Sequence, residues 1–344
     1  MAGARRPDLD AVKRFVDTLL ASPGAKSRVW KDKALGALSY GREARQWLGR
    51  ALRMAREAVE EAARGYREAG YLAARLYYRL TAPGLVGAGG GILKPVFEVG
   101  LTVHPLLGLP YYPGSGVKGA VRALAEHLLG EDVASALFGS AGVGGAASAV
   151  VFEDALPVGC SREPCSVYRG LVLTPHYSRD GKPVPNELFA IPQPVPHLGI
   201  EEGLVYAFVY AVHPARAARA LQALREAASR EDCRAMKDYE PICGAIKTVL
   251  ERGAKPEEKI AAVVFVLLNA ALSSGIAARS TKGYNVFEPY TGDLKFSIVG
   301  YSYEPPIQEE QRAKKQAGQR QSRPQRRYSH GRGPRRQQRR SRRP

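Results

Sequence analysis

The sequence lacks the features that mark several common classes of protein. It contains no run of about 18 uncharged apolar residues, so no membrane-spanning helix is predicted. The opening residues, MAGARRPDLDAVKRF, include no apolar segment of a secretory signal. The glycine-rich loops contain no G-x-x-x-x-G-K-[ST] string, and no repeat of 20–50 residues is visible. We therefore expect a soluble, cytoplasmic protein with no membrane partner and no ordinary nucleoside triphosphate site.

Cysteine is scarce and poorly spaced for metal binding. The four cysteines form a C-x4-C pair, Cys160 and Cys165, and a C-x9-C pair, Cys233 and Cys243. Neither has the C-x2-C spacing typical of a zinc site, and no His-x3-5-His accompanies them, so we predict no metal. Only three asparagines occur, beside abundant Arg and Glu, which is typical of a thermophile, where intracellular disulfides do form. Disulfides within each pair are possible, but buried or free thiols are the expected default.

Acidic residues are absent from the C-terminal segment 311–344. Residues 311–344 contribute 14 of the net charge of +18, which leaves +4 for residues 1–310. The segment is rich in Arg, Gln, Gly and Pro and cannot bury an apolar core, so we predict a disordered tail over 304–344. Such a tail suits loose, salt-sensitive contact with nucleic acid, because each neutralised phosphate releases counterions. The alternative is a solubility tail with no ligand of its own.

Periodicity in the rest of the chain predicts an α+β fold. Residues 1–69 are expected to form a helical N-terminal region, and 70–303 a core in which strands and helices alternate. The segment 174–198 holds six prolines and predicts an extended arm or hairpin. The predicted helices are 8–22, 42 to about 71, 117–129, 214–229, 241–252 and 256–273. The predicted strands are 96–104, 149–154, LVYAFVYAV at 204–212, VFEPY and LKFSIVGYSY.

The stretch GLPYYPGSGVKGAVR, residues 108–122, places two cations where a helix begins. The first turn of a helix behaves like about half a positive charge, so acidic side chains are preferred there. Lys118 and Arg122, four residues apart, also repel each other. An anion bound at the loop would relieve both penalties. The predicted ligands are Gly114, Ser115, Gly116, Lys118, Gly119 and Arg122, with Tyr111 and Tyr112 available to stack on bases.

The string GSGVKG within this loop formally matches the dinucleotide motif G-x-G-x-x-G. That motif requires a buried strand just before it and an acidic residue about 20 positions later. Here Pro110 and Pro113 interrupt the approach, and position 139 is glycine. We therefore predict no nicotinamide or flavin cofactor, and the phosphate of a polymer is the remaining ligand. A glycine-rich turn with solvated cations is the structural alternative.

A second loop repeats the same composition. GIAARSTKGYN, residues 275–285, combines Gly275 and Gly283 with three candidate RNA ligands, Arg279, Lys282 and Tyr284, directly after a predicted buried helix. Two such loops favour nucleic-acid binding over a solvated turn.

These two loops resemble the glycine-rich loops of the RAMP superfamily of CRISPR proteins, and VVFEDALP and LTPHY resemble a subunit of the Cmr complex, the type III-B effector. The resemblance covers about residues 70–300. It implies a ferredoxin-like, RRM-related core with insertions. It also implies a non-catalytic subunit that binds CRISPR guide RNA, next to target RNA and other RAMP subunits, in antiviral defence. The arm 174–198, with Arg179 and Lys182 at its turn, is then the candidate thumb that wedges guide and target.

The competing class is a metal-independent endoribonuclease that processes CRISPR RNA. A metal-free cut needs a general acid and base near the 2′-hydroxyl, and the candidates are His104, His176, Tyr177 and Asp154. The histidines are single and scattered, and each has a structural explanation. We expect no catalytic residue and no cofactor.

Overall fold

A computed structural model describes residues 42–88, 99–141, 145–173, 178–179, 182–183, 195–229 and 239–297. Within these ranges, runs of helices and runs of strands follow one another along the chain. The helices are α1 Arg42–Glu68, α2 Gly114–Leu129, α3 Glu131–Phe138, α4 Pro214–Ser229, α5 Glu240–Glu251 and α6 Pro256–Ser274. The strands are β1 Leu72–Leu80, β2 Val150–Phe152, β3 Leu156–Cys160, β4 Tyr168–Leu173, β5 Ser178–Arg179, β6 Lys182–Pro183, β7 Val195–Ile200, β8 Leu204–Val212 and β9 Phe287–Pro289. The predicted α+β class is confirmed.

The main sheet is antiparallel throughout. From one edge its order is β9, β1, β8, and then β2 and β3, which both pair with β8. The register between β1 and β8 runs from Leu72 opposite Val212 to Arg79 opposite Val205. Strands β2 and β3 share β8 as their partner and are separated by residues 153–155. Glu153 N–H still donates to the Val209 carbonyl of β8 at 3.0 Å, whereas Ala155 N–H donates to the Tyr112 carbonyl at 2.8 Å.

Helices cover both faces of β8, all nine residues of which are buried. On one face, the Tyr210 hydroxyl donates to the Ala261 carbonyl of α6 at 2.8 Å. On the other face, Arg75 of β1 lies 3.4 Å from Glu60 of α1. An apolar run without alternation, LVYAFVYAV, is what a strand covered on two sides requires.

The helices bury the stripes that their periodicity predicts. Helix α2 buries Val117, Val121, Ala125 and Leu128, spaced by three and four residues. None of the helices in the described ranges is long and apolar enough to cross a membrane.

Two strand predictions are wrong or incomplete. Residues 99–104 form no regular strand, and only Val103 pairs, with Pro110. The segment instead hydrogen-bonds to the loop before it, since Thr102 N–H donates to the Val86 carbonyl at 2.9 Å. Of LKFSIVGYSY, the described part, 294–297, forms only an isolated bridge between Lys295 and Cys160. The predicted strand residues 96–98, the predicted helix 8–22 and the predicted tail 304–344 lie outside the described residues.

The predicted arm is a hairpin where the structure describes it. Strand β4 pairs with β7 from Tyr168 opposite Ile200 to Leu173 opposite Val195. Further along, β5 and β6 pair, with Arg179 opposite Lys182. Asp-Gly between these two residues is the sequence that a tight hairpin turn favours.

A disulfide replaces the free thiols that we expected by default. Cys160 at the end of β3 is bonded to Cys165, with their Cα atoms 6.3 Å apart, and Cys243 is also disulfide-bonded. The loop between Cys160 and Cys165 holds a neighbouring segment, because Cys165 N–H donates to the Ser297 carbonyl at 3.0 Å.

Candidate nucleic-acid interface

Helix α2 begins at Gly114, whose N–H donates to Asp154 Oδ1 at 2.7 Å. Asp154 therefore supplies the negative charge that a helix N-terminus favours, from a position 40 residues further along the chain. Gly114 is buried against β2, since a Cβ atom there would lie 2.5 Å from the Phe152 carbonyl oxygen. Our assignment of Gly114 as a ligand of an external anion is thus corrected: its N–H and its missing side chain serve packing.

The outer face of the first two turns of α2 is open. Ser115, Gly116 and Gly119 are exposed, and a Cβ atom built on either glycine would meet nothing within 4 Å. A ligand can approach the helix backbone closely on this side, as the sequence predicts.

Lys118 is half-buried beside this open surface. Burial lowers the pKa of Lys118 below its ordinary value, and the positive charge of Arg122 lowers it further. It makes no hydrogen bond or ion pair with any residue in the described ranges. An anion bound here would stabilise its charged form.

Arg122 is already engaged. Its Nη2 lies 2.7 Å from Glu131 Oε1, and its Nη1 donates to the Gly139 carbonyl. Glu131 begins α3 and Gly139 follows its last residue, so one side chain fastens α2 to both ends of α3. These two contacts stabilise the fold and use only part of the five guanidinium donors, so the assignment of Arg122 as a phosphate ligand stays a prediction.

Tyr112 is only 1% exposed, so the prediction that it stacks on a base is also wrong. Its ring packs edge-on against Tyr206 and Phe287, with centroids 5.1 and 5.3 Å away. Its hydroxyl donates to Asn285 Oδ1 at 2.8 Å. Burial raises the pKa of Tyr112 well above its usual value, which keeps the hydroxyl a donor.

Asn285 joins the two glycine-rich loops. Its Oδ1 accepts from the Tyr112 hydroxyl and from Leu85 N–H, the latter at 2.6 Å, and its Nδ2 donates to the Ala278 carbonyl at 2.7 Å. The side chain is completely buried, and its φ of 57° lies in the left-handed region that asparagine tolerates better than most residues. Sequence reasoning did not find this role, although asparagine is rare in the chain.

The second loop presents cations on a tight turn. It follows α6 at Gly275 and contains a single 3-10 turn, Ser280–Lys282, flanked by Arg279 and Gly283 in the left-handed conformation. The turn uses its own N–H groups, since Lys282 and Tyr284 both donate to the Arg279 carbonyl. What it offers a ligand is therefore two exposed side chains, Arg279 and Lys282. Neither has an ion-pair partner within the ranges described.

Tyr284 is half-buried at the end of this turn and packs against the core. The side chains of Arg179 and Lys182, on the arm, lie outside the described residues, so their assignment stays a prediction.

The candidate catalytic groups are engaged in the fold where they are described. His104 Nδ1 accepts from Leu106 N–H and Leu107 N–H, each at 3.3 Å, and so closes its own turn. Asp154 holds Gly114 as described above. His176 and Tyr177 lie outside the described residues. In the described part of the chain, no group of three His, Cys, Asp or Glu residues is placed to hold a metal ion.

The fold and the site together define a class of protein: an antiparallel α+β domain with two linked, cation-bearing glycine-rich loops. The sequence model of the RAMP superfamily matches residues 78–288, which include both loops. The chain belongs to the RAMP superfamily, as the motifs predicted.

The chain is also similar in sequence to an individual member of this superfamily. The chain is 28% identical over 204 residues to the CRISPR system CMR subunit Cmr6 of Saccharolobus solfataricus strain P2. The match covers 59% of this chain and 53% of that protein, so the chain spans about half the length of the relative. The predicted resemblance to a subunit of the Cmr complex is confirmed, and the subunit is the sixth.

Two solved structures are similar over much of the chain. A chain of the type III-B Cmr-beta complex bound to cognate target RNA has a TM-score of 0.47 and 22% identity, and the match covers 86% of this chain and 80% of that one. The crystal structure of Cmr6 from Pyrococcus furiosus has a TM-score of 0.33 and 17% identity, with 64% and 99% covered.

Proposed function

We propose that this chain is a non-catalytic subunit of a type III-B CRISPR (Cmr) effector complex, which binds guide RNA in antiviral defence against invading RNA. Its partners are the guide, the target RNA and neighbouring RAMP subunits, and its location is the cytoplasm. The observation that carries the proposal is the pair of loops joined by the Tyr112–Asn285 hydrogen bond. Lys118 in the first loop and Arg279 and Lys282 in the second have no acidic partner in the described residues.

The geometry suits a ligand recognised by its backbone. Lys118, Arg279 and Lys282 supply charge, while Ser115, Gly116 and Gly119 leave room for close approach. Cations and open backbone of this kind can hold phosphates, a contact that positions a strand and carries no sequence information. A guide RNA requires this kind of contact, because base pairing with the target reads the sequence and phosphate contacts only position the strand.

We further propose that the core is ferredoxin-like and RRM-related. A ferredoxin-like core has the chain order strand, helix, strand, strand, helix, strand. In this chain the six positions are filled by β1, α2, the β2 and β3 pair, β8, α6 and β9. Counting β2 and β3 as one strand, the core strands lie side by side in the sheet as the fourth, first, third and second strand along the chain. All neighbouring strands are antiparallel. The helix α1, the arm and the Arg-rich tail are additions to this core.

The phosphate contacts can be tested by RNA binding. Lys118→Ala/Lys282→Ala is expected to weaken binding of a single-stranded RNA and to reduce the slope of log K against log[NaCl] by about 1.4, since each phosphate that a cation neutralises on a single strand contributes about 0.7. The measurement is fluorescence anisotropy at several salt concentrations. The matched control is Lys247→Ala/Lys255→Ala, which removes the same charge from other surfaces. An unchanged slope in the loop variant would contradict the proposal.

The absence of catalysis can be tested separately. His104→Ala/His176→Ala is expected to leave the length and yield of guide RNA in the assembled complex unchanged. Loss of the mature guide end, with assembly intact, would instead establish the chain as a metal-independent endoribonuclease.

A further inference from the structure

Helix α1 divides into two halves of different charge. Residues 42–53 contain four arginines and one glutamate, whereas 54–68 contain three arginines and four glutamates. In the second half Arg56 pairs with Glu60 at 3.0 Å, and Arg64 pairs with Glu61 and Glu68. In the first half Arg45, Arg50 and Arg53 are exposed, and none pairs with an acid in the parts of the chain described. The first half thus carries unbalanced positive charge on one side of the molecule.

These arginines surround a groove of about 480 Å³ between α1 and the segment 296–297. It is lined by Arg45, Gln46, Gly49, Arg50, Arg53, Phe296 and Ser297. Gly49 lets the segment lie against the helix, since a Cβ atom there would be 2.8 Å from the Phe296 carbonyl oxygen.

The wall of the groove is held in place from the other side. Glu163 Oε1 accepts from Phe296 N–H and Ser297 N–H at 3.3 and 3.4 Å, and Lys295 pairs with Cys160 of the disulfide. The groove is therefore built by three parts of the chain that are far apart in sequence.

Aromatic rings orient two of the arginines. The Arg53 guanidinium lies 5.6 Å from the ring centroid of Phe296, and that of Arg50 lies 5.7 Å from Trp47. Stacking on a ring restrains a guanidinium while its in-plane N–H groups stay available to a phosphate. Trp47 is itself 36% exposed, so part of its surface can contact a base.

We propose that this groove is a second RNA-binding site, in which Arg45, Arg50 and Arg53 contact phosphates of a single strand and the exposed indole of Trp47 contacts a base. The span from Arg45 to Arg53 is about 12 Å at 1.5 Å per helical residue, long enough to follow several phosphates in a row. A charged groove beside aromatic rings is how proteins bind single strands without reading sequence. An acidic protein segment is the competing occupant, and the experiment below distinguishes it from RNA.

The site shares no residue with the two glycine-rich loops. It concerns RNA binding by the chain itself, so its failure would leave the proposed function untouched, and the loop variant above tests that function independently.

The test uses the full chain and a 20-nucleotide single-stranded RNA carrying 4-thiouridine and a fluorescent label. Arg45→Ala/Arg50→Ala/Arg53→Ala is compared with Arg56→Ala/Arg64→Ala/Arg67→Ala, which removes three charges from the same helix outside the groove. The groove variant is expected to lower the salt slope by about 2, from three phosphates at about 0.7 each, and to weaken binding about tenfold or more at 100 mM NaCl. The control variant should change the slope by well under half as much.

Photocrosslinking locates the RNA on the protein surface. Crosslinked RNA is expected on the peptides that contain Trp47 and Phe296 in the wild type, and to disappear from both in the groove variant. All six arginines are exposed and their surface contacts contribute little to stability, so similar urea midpoints are expected and would show that folding is intact. Equal salt slopes in the two variants, or crosslinks at neither peptide, would overturn the proposal. So would loss of binding to an acidic partner subunit with RNA binding unchanged, because that result assigns the groove to protein.

Discussion

The Asn285 side chain is the group on which the two-loop site most depends, and its removal has a large expected cost. Asn285→Ala leaves three partners without a hydrogen bond: the Tyr112 hydroxyl, Leu85 N–H and the Ala278 carbonyl. Each unsatisfied buried group costs about 1–3 kcal/mol. Alanine must also adopt the φ of 57°, which costs about 1–2 kcal/mol. With partial relaxation, we expect the free energy of unfolding to fall by about 3–5 kcal/mol.

Two further variants separate these contributions. Asn285→Gly accepts the left-handed backbone, so it should be less destabilising than Asn285→Ala by about 1 kcal/mol. Tyr112→Phe removes one hydrogen bond and keeps the ring packing, so it should cost about 0.5–1.5 kcal/mol. In the Asn285→Ala background, Tyr112→Phe should cost nothing, because the hydroxyl no longer has its acceptor.

The assay is urea unfolding followed by circular dichroism, together with RNA affinity measured under native conditions. Both Asn285→Ala and Tyr112→Phe should weaken RNA binding, since the link between the two loops is removed. The proposed role of Asn285 is refuted if Asn285→Ala costs less than about 1 kcal/mol, or if the two substitutions are additive in a double-mutant cycle.

Two other predictions follow from the first turn of α2 and from the contact of α1 with the edge of the sheet. Gly114→Ala should destabilise the protein by about 1–3 kcal/mol, because the new methyl group would collide with the Phe152 carbonyl. Gly119→Ala faces open space, so it should stabilise α2 slightly while weakening RNA binding. Urea midpoints and RNA affinities of the two variants test this prediction, and equal midpoints would contradict it. Burial and the hydrogen bond to Glu153 raise the pKa of Tyr66 from 10.0 to about 12, so its stabilising effect is present below pH 10 and is lost as the pH rises towards 12. Between pH 9 and pH 11, the free energy of unfolding should decline less steeply in Tyr66→Phe than in the wild type. Parallel declines in the two proteins would contradict the proposed effect of Tyr66.

Much of the fold could be predicted because its signals are local. The nine apolar residues of β8 and the three- and four-residue spacing of α2 and α6 each lie within one element. The strand predicted at 96–104 shows where local signals fail. Alternation indicates a half-buried strand, but a ladder also needs a partner, and residues 99–104 pair only with nearby loop segments.

The candidate site was predicted less completely, because its residues are distant in sequence. Composition alone indicates the two loops and their cations. It cannot show that Asp154 neutralises the start of α2, that Glu131 engages Arg122, or that Asn285 reaches Tyr112 across 173 positions. These interactions decide which cations are left for a ligand. Lys118, Arg279 and Lys282 stay in the candidate set without an acidic partner in the described residues, and Arg122 stays in it with two donors already engaged. Tyr112 and Gly114 leave the set, because both are buried.

The most direct test of the central claim is affinity purification of the chain from its native cells, with mass spectrometry of the bound proteins and sequencing of the bound RNA. The proposed function predicts several RAMP-family partners and short RNAs that share a repeat-derived end. Recovery of the chain alone, or with RNAs of unrelated sequence and no common end, would contradict it.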